Sequence, residues 1–122
     1  MYKKSRARPE QLIQRSVFQH LRTRGAAGVF AFHVPNGGYR RRVEAMLLKG
    51  LGVVAGVPDV IAIHEGRCYA LELKAPGRRA TQKQISVMAA LERAGTRTAV
   101  AEGLDAALRC LESWGLLRGH VS

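Results

Sequence analysis

The stretch from Pro58 to Lys74, PDVIAIHEGRCYALELK, constrains this chain more than any other. Two apolar, β-branched runs, Val60 to Ile63 and Cys68 to Leu73, are separated by a polar break at Glu65-Gly66, which predicts a β-hairpin with a two-residue loop. Antiparallel pairing around that loop sets His64 opposite Arg67, Ile61 opposite Ala70 and Asp59 opposite Glu72, because paired positions keep a constant sum. Directly opposed residues share a face, as do residues two apart on one strand. Asp59, Glu72 and Lys74 are therefore expected to converge, on a face otherwise carrying Ile61, Ile63 and Ala70.

Two adjacent carboxylates repel, so the arrangement implies a third party. A divalent cation such as Mg²⁺ or Mn²⁺ relieves that repulsion, since hard ions take carboxylate, carbonyl and water oxygens. Lys74, one side-chain step beyond Glu72, is within reach of a water or phosphate held there. The structural alternative is that Asp59 merely ends a strand at a turn while Glu72 and Lys74 occupy a solvated edge.

At 122 residues the chain is long enough for one core and too short for a second. A hydrophobic content of 47% argues against disorder. The 20 Lys and Arg against 9 Asp and Glu leave a formal charge of +11, which points to a polyanionic partner, with nucleic acid first. An anionic membrane surface competes, but no long basic amphipathic helix supports it. No run of 18 apolar residues predicts a membrane span, and nothing after the basic N-terminus resembles a signal peptide. Cys68 and Cys110 lack CxxC spacing, and the four histidines lack zinc spacing, so buried thiols in a reduced compartment are expected.

Residues 1 to 8 form a basic arm, and the single domain is expected over 9 to 118. Pro9, Glu10 and the helical spacing of Leu12, Ile13, Val17 and Leu21 predict a helix over 9–24, with Glu10 favourably placed against its dipole. Val29 to Val34 reads as a buried strand ending in the turn cluster Pro35 to Gly38. His33, at its end, is either a hydrogen-bonded structural histidine or a group approaching the acidic pair. Arg40, Arg41 and Arg42 then lead into a short helix carrying Val43, Met46, Leu47 and Leu48. Arginine forks match phosphate oxygens, so this run, with Arg78 and Arg79 in the loop after the hairpin, is a candidate DNA contact. The glycines at 50, 52 and 56 do not fit a dinucleotide loop, and there is no P-loop. Thr81 opens a helix in which Gln84 has capping-box spacing, a structural role open to it. A strand over 97–101 and an amphipathic helix over 104–114 complete the order α-β-α-β-β-α-β-α, an α/β fold with a mixed central sheet flanked by helices.

Pro58-Asp59 followed by Glu72-Leu73-Lys74 resembles the PD-(D/E)xK nucleases. The wider strings HVPNGG, GVVAGVPDVIAI and YALELKAPGRRATQKQ resemble the virus-type replication-repair nuclease (VRR-NUC) family, specifically its small stand-alone phage and bacterial members. The resemblance covers roughly residues 9 to 115. It implies a restriction-endonuclease-like core and a Mg²⁺- or Mn²⁺-dependent endonuclease. Asp59, Glu72 and the Leu73 carbonyl would bind the metal, Lys74 would act on the attacking water, and Glu10 and Gln84 would assist. The segment around His33, Asn36 and Gly37 matches a family motif, with Asn36 joining the arginines as a DNA-binding candidate. The resemblance further implies branched DNA such as four-way junctions as substrate, a homodimer, and a bacterial or phage-infected cytoplasm. The rival expectation is a non-catalytic basic DNA-binding module that keeps the nuclease fold.

Overall fold

The computed structural model describes residues 8–35 and 42–119. Along the chain run α1 (Pro9–Arg24), β1 (Phe30–Phe32), α2 (Arg42–Gly50), β2 (Val60–His64), β3 (Arg67–Lys74), α3 (Gln82–Arg93), β4 (Arg97–Glu102) and α4 (Leu104–Ser113). This is the order expected from the sequence. The strands form one sheet in the order β1-β2-β3-β4, antiparallel among the first three and parallel between β3 and β4. The sheet is therefore mixed.

Strand alternation sends Val60 and Ala62, Tyr69, Leu71 and Leu73, and Ala101 to one face. There they meet Val17 and Leu21 of α1, Ala107, Leu108 and Leu111 of α4, and Leu116 and Leu117 just beyond it. Burying a Leu or Val side chain contributes ~1.5–3 kcal/mol, so this layer holds the domain together. Trp114 packs at its margin against Tyr69, with ring centroids 5.3 Å apart. Arg24 ties α1 to α4 through a 2.7 Å ion pair with Glu112.

The hairpin takes the register read from the sequence, with His64 opposite Arg67 and Ile61 opposite Ala70. Its loop residues Glu65 and Gly66 have φ of 50° and 75°, the left-handed pair that lets a two-residue loop follow the strand twist. The ladder stops at Val60 opposite Leu71, so Asp59 and Glu72 are not a ladder pair as expected. Pro58 has no N–H to extend the ladder, and Asp59 lies in a bend immediately outside β2.

One further expectation is corrected. The buried strand over 29–34 is three residues long and lies at the sheet edge, with Phe30 65% exposed. An edge strand has one neighbour only, and Pro35 cannot donate to continue it. The apolar stripe of α2 is uncovered: Val43, Met46, Leu47 and Leu51 are 65–81% exposed and no residue of α2 is buried. Among the described residues no helix is long and apolar enough to cross a membrane.

Candidate active site

Beyond Leu71, β3 outruns β2 but remains paired with β4, with Glu72 opposite Val100, Leu73 opposite Ala101 and Lys74 opposite Glu102. One strand thus holds Glu72 and Lys74 on the sheet face away from the main core. The bend at Asp59 and the first turn of α1 converge on the same strand end.

The Leu73 N–H, past the last β2 pair, donates to Asp59 Oδ2 at 3.0 Å. The side chain of Asp59 takes over where the main-chain ladder ends. In a strand, one residue's N–H and C=O point to the same side, so the Leu73 carbonyl also faces the open space beside Asp59. Two positions further on, the Ala75 N–H donates to Glu10 Oε2 at 3.3 Å. Glu10 therefore does more than face its helix dipole: it bridges α1 to the end of β3.

Lys74 Nζ lies 3.3 Å from Glu72 Oε2. The two residues are 7% and 2% exposed, a charged pair taken almost wholly out of water. Glu72 Oε1 is buried with no hydrogen-bond partner. Burial pushes the Glu72 carboxyl up to about 7, helped by the charge of Asp59 and a carboxyl to carboxyl hydrogen bond with it, and opposed by Lys74. Burial also raises Asp59; the Leu73 N–H, His33 and Lys74 oppose the rise while Glu10 adds to it. Both carboxyls are thus held above their ordinary values, mainly by burial.

The residues fit a hard divalent cation on that ground. An orphaned buried oxygen, a second carboxylate and a strand carbonyl are an all-oxygen donor set. Among the described residues no group of three His, Cys, Asp or Glu side chains is gathered as a metal cage.

The other candidates fall elsewhere. Gln84 is engaged at the start of α3, its Oε1 accepting from the Thr81 N–H at 2.9 Å while Thr81 Oγ1 accepts from the Gln84 N–H at 3.1 Å. Its carbonyl oxygen is spent on the helix cap. Arg78 and Arg79 are exposed in the loop after β3, and Arg42 is exposed at the start of α2. Asn36, Arg40 and Arg41 lie outside the described residues.

One contact was not derivable from sequence. His33 Nδ1 lies 2.7 Å from the main-chain oxygen of Asp59. A carbonyl only accepts, so Nδ1 carries the proton and donates. The ring is exposed, not buried, and the signal for its position would have been the β1 to β2 register, which no hairpin loop reveals.

No family model matches the sequence, and no curated protein matches it either. Among solved structures, the fold is similar to a chain described as a "VRR_NUC domain protein", with a TM-score of 0.73 and 25% identity over 90% of this chain and 90% of that one. With its mixed sheet and restriction-endonuclease-like α/β core, the chain shares the fold of a VRR-NUC nuclease domain over nearly its whole length.

Proposed function

We propose that this domain is a Mg²⁺- or Mn²⁺-dependent endonuclease that hydrolyses phosphodiester bonds in DNA, with branched DNA such as four-way junctions as its substrate. The observation that carries the reading is the buried, unpartnered Glu72 Oε1, set beside Asp59 and flanked by Lys74. A fold kept only for coating DNA gains nothing from burying a carboxylate oxygen without a partner. Asp59 Oδ1, Glu72 Oε1 and the Leu73 carbonyl would hold the cation, and because such ligands bind it deprotonated, its affinity would rise with pH. When bound, the cation supplies Lewis-acid charge to the scissile phosphate and makes water a better nucleophile.

The chain's own residues do the rest. Lys74, anchored on Glu72, is placed to orient the attacking water and to offset charge gathering on the phosphate oxygens. Glu10 keeps the end of β3 in position through Ala75. Arg42, Arg78 and Arg79 are exposed and available to phosphates, with Arg40, Arg41 and Asn36 assigned to the same task. Two copies would meet over the uncovered α2 stripe. Its Val43, Met46, Leu47 and Leu51 side chains form one exposed apolar stripe of the kind that marks an interaction patch.

The test is cleavage of labelled junction, flap, nicked and linear duplexes at one salt and metal concentration. Asp59→Ala, Glu72→Ala and Lys74→Ala should each abolish cutting in protein that still melts cooperatively. Undiminished cutting by the Asp59 and Glu72 variants removes those carboxylates from the chemistry. Salt-dependent binding with no divalent requirement in the unaltered protein would leave a DNA-binding module.

A further inference from the structure

Asp59 lies outside the regular ladder, yet it is held from two directions. Its Oδ2 is fixed by the Leu73 N–H, and its main-chain carbonyl is fixed by the ring of His33. The β1 to β2 register, with Phe32 opposite Ile61, would place Val34 opposite Asp59 if the ladder ran on. It does not, because β1 ends at Phe32 and Pro35 follows two residues after His33. The imidazole supplies a donor to Asp59 where the strand has stopped supplying one.

We propose that His33 is a positioning residue for Asp59: its Nδ1–H, donated to the Asp59 carbonyl, fixes the backbone from which that carboxylate reaches toward Glu72. This rests on the reading of Asp59 as a cation ligand. Without the His33 bond, the bend between Pro58 and Val60 is held from the β3 side alone. The carboxylate can then turn about the Leu73 contact, and the oxygen that faces Glu72 is no longer held in one place. Partners that orient a metal ligand without touching the metal characteristically affect affinity by ~10–100-fold when removed. Because the fixed tautomer places the proton on Nδ1, the role belongs to that nitrogen and not to Nε2.

Amide isosteres separate the two nitrogens. His33→Asn puts an N–H donor where Nδ1 stands, His33→Gln puts it one bond further out, and His33→Phe keeps a ring without a donor. Mn²⁺ binding by the full chain, followed by the decline of its free-ion paramagnetic resonance signal, is the readout. Expected are a dissociation constant within about threefold of the unaltered protein for His33→Asn, and weakening of ~10–100-fold for His33→Gln and His33→Phe. Cleavage by the two weakened variants should recover toward the unaltered maximal rate as Mn²⁺ is raised, which a residue contacting the reacting atoms would not allow.

Binding by His33→Phe equal to that of the unaltered protein, or His33→Asn as weak as His33→Phe, would overturn the assignment. If His33→Phe fails to fold, the contrast of His33→Asn with His33→Gln decides. The underlying reading is checked separately: unaltered protein that binds no Mn²⁺, or Asp59→Asn that binds it equally well, sinks the cation site itself.

Discussion

The Lys74 ammonium and the Glu72 carboxylate form a 3.3 Å ion pair buried in the sheet, and the second oxygen of that carboxylate has no partner. Such a pair is a poor way to stabilise a domain, because desolvating both charges offsets most of their attraction. An apolar pair of similar volume is often as stable or ~1–4 kcal/mol more so. The double variant Glu72→Leu with Lys74→Met should therefore melt at or above the temperature of the unaltered protein while cutting no DNA. A lower melting temperature would mean that the pair is kept for stability and not for chemistry.

The raised carboxyls make a prediction about pH. Glu72 titrates about 7 in the fold against 4.5 when free, so the folded state holds its proton more tightly than the unfolded chain does. Its contribution to stability is complete below 4.5 and is lost as pH rises through about 7; Asp59, shifted in the same direction, adds to the trend. Metal-free protein should lose several degrees of melting temperature between about pH 5 and pH 8, and saturating Mn²⁺ should restore most of them at pH 8. Below about pH 7, Mn²⁺ binding should release a proton, measured by calorimetry in buffers of different ionisation enthalpy. Melting that is flat across this range with no proton release would show that Glu72 is already ionised.

The sequence exposed the hairpin and its acidic pair because both rest on local rules: a two-residue loop fixes register, and register fixes faces. The same arithmetic carried one pair too far, since it did not weigh Pro58 as the end of the ladder. Asp59 meets β3 through its side chain, a contact that counting residues does not produce. Glu10 and His33 arrive from distant segments, and their hydrogen bonds to Ala75 and Asp59 depend on how α1 and β1 dock. Composition likewise could not say that the apolar stripe of α2 would find no cover among the described residues, because amphipathicity marks a face without naming what lies against it.

Gln84 and Thr81 cap α3 reciprocally, and this separates a structural role from a chemical one. Removing either side of a capping box costs ~0.5–2 kcal/mol. Thr81→Ala and Gln84→Ala should lower the melting temperature by similar amounts and leave cleavage at permissive temperature within about threefold of each other. A much larger drop in cleavage for Gln84→Ala than for Thr81→Ala would place the Gln84 amide in the reaction.

Arg78 and Arg79 follow the β3 end that carries Lys74, in a turn held by the Arg78 N–H donating to the Ala75 carbonyl at 3.0 Å. Exposed arginines near the proposed cutting site should act through phosphate charge. Replacing both by Ala should weaken binding to all duplexes alike and reduce the slope of log affinity against log salt by ~1 for each phosphate that is no longer neutralised. A change in preference among DNA structures with an unchanged salt slope would show that they read shape instead.

The stripe formed by Val43, Met46, Leu47 and Leu51 contributes nothing to the buried core of its own chain, so its substitution tests association without disturbing the fold. Surface of this kind is stable in water only when covered, and a symmetric pair of copies covers it twice with one self-complementary contact. Met46→Glu with Leu47→Glu should turn a dimer into a monomer by light scattering at about 10 μM, with the monomer's melting temperature no longer dependent on concentration. Junction cleavage should change from paired cuts within one binding event to independent nicks. The rate of each nick should change little, because the described partners of Asp59, Glu72 and Lys74 come from β3, β4 and the segment around His33 and not from α2. Unaltered protein that is monomeric at this concentration would remove the pairing and leave each catalytic centre acting alone.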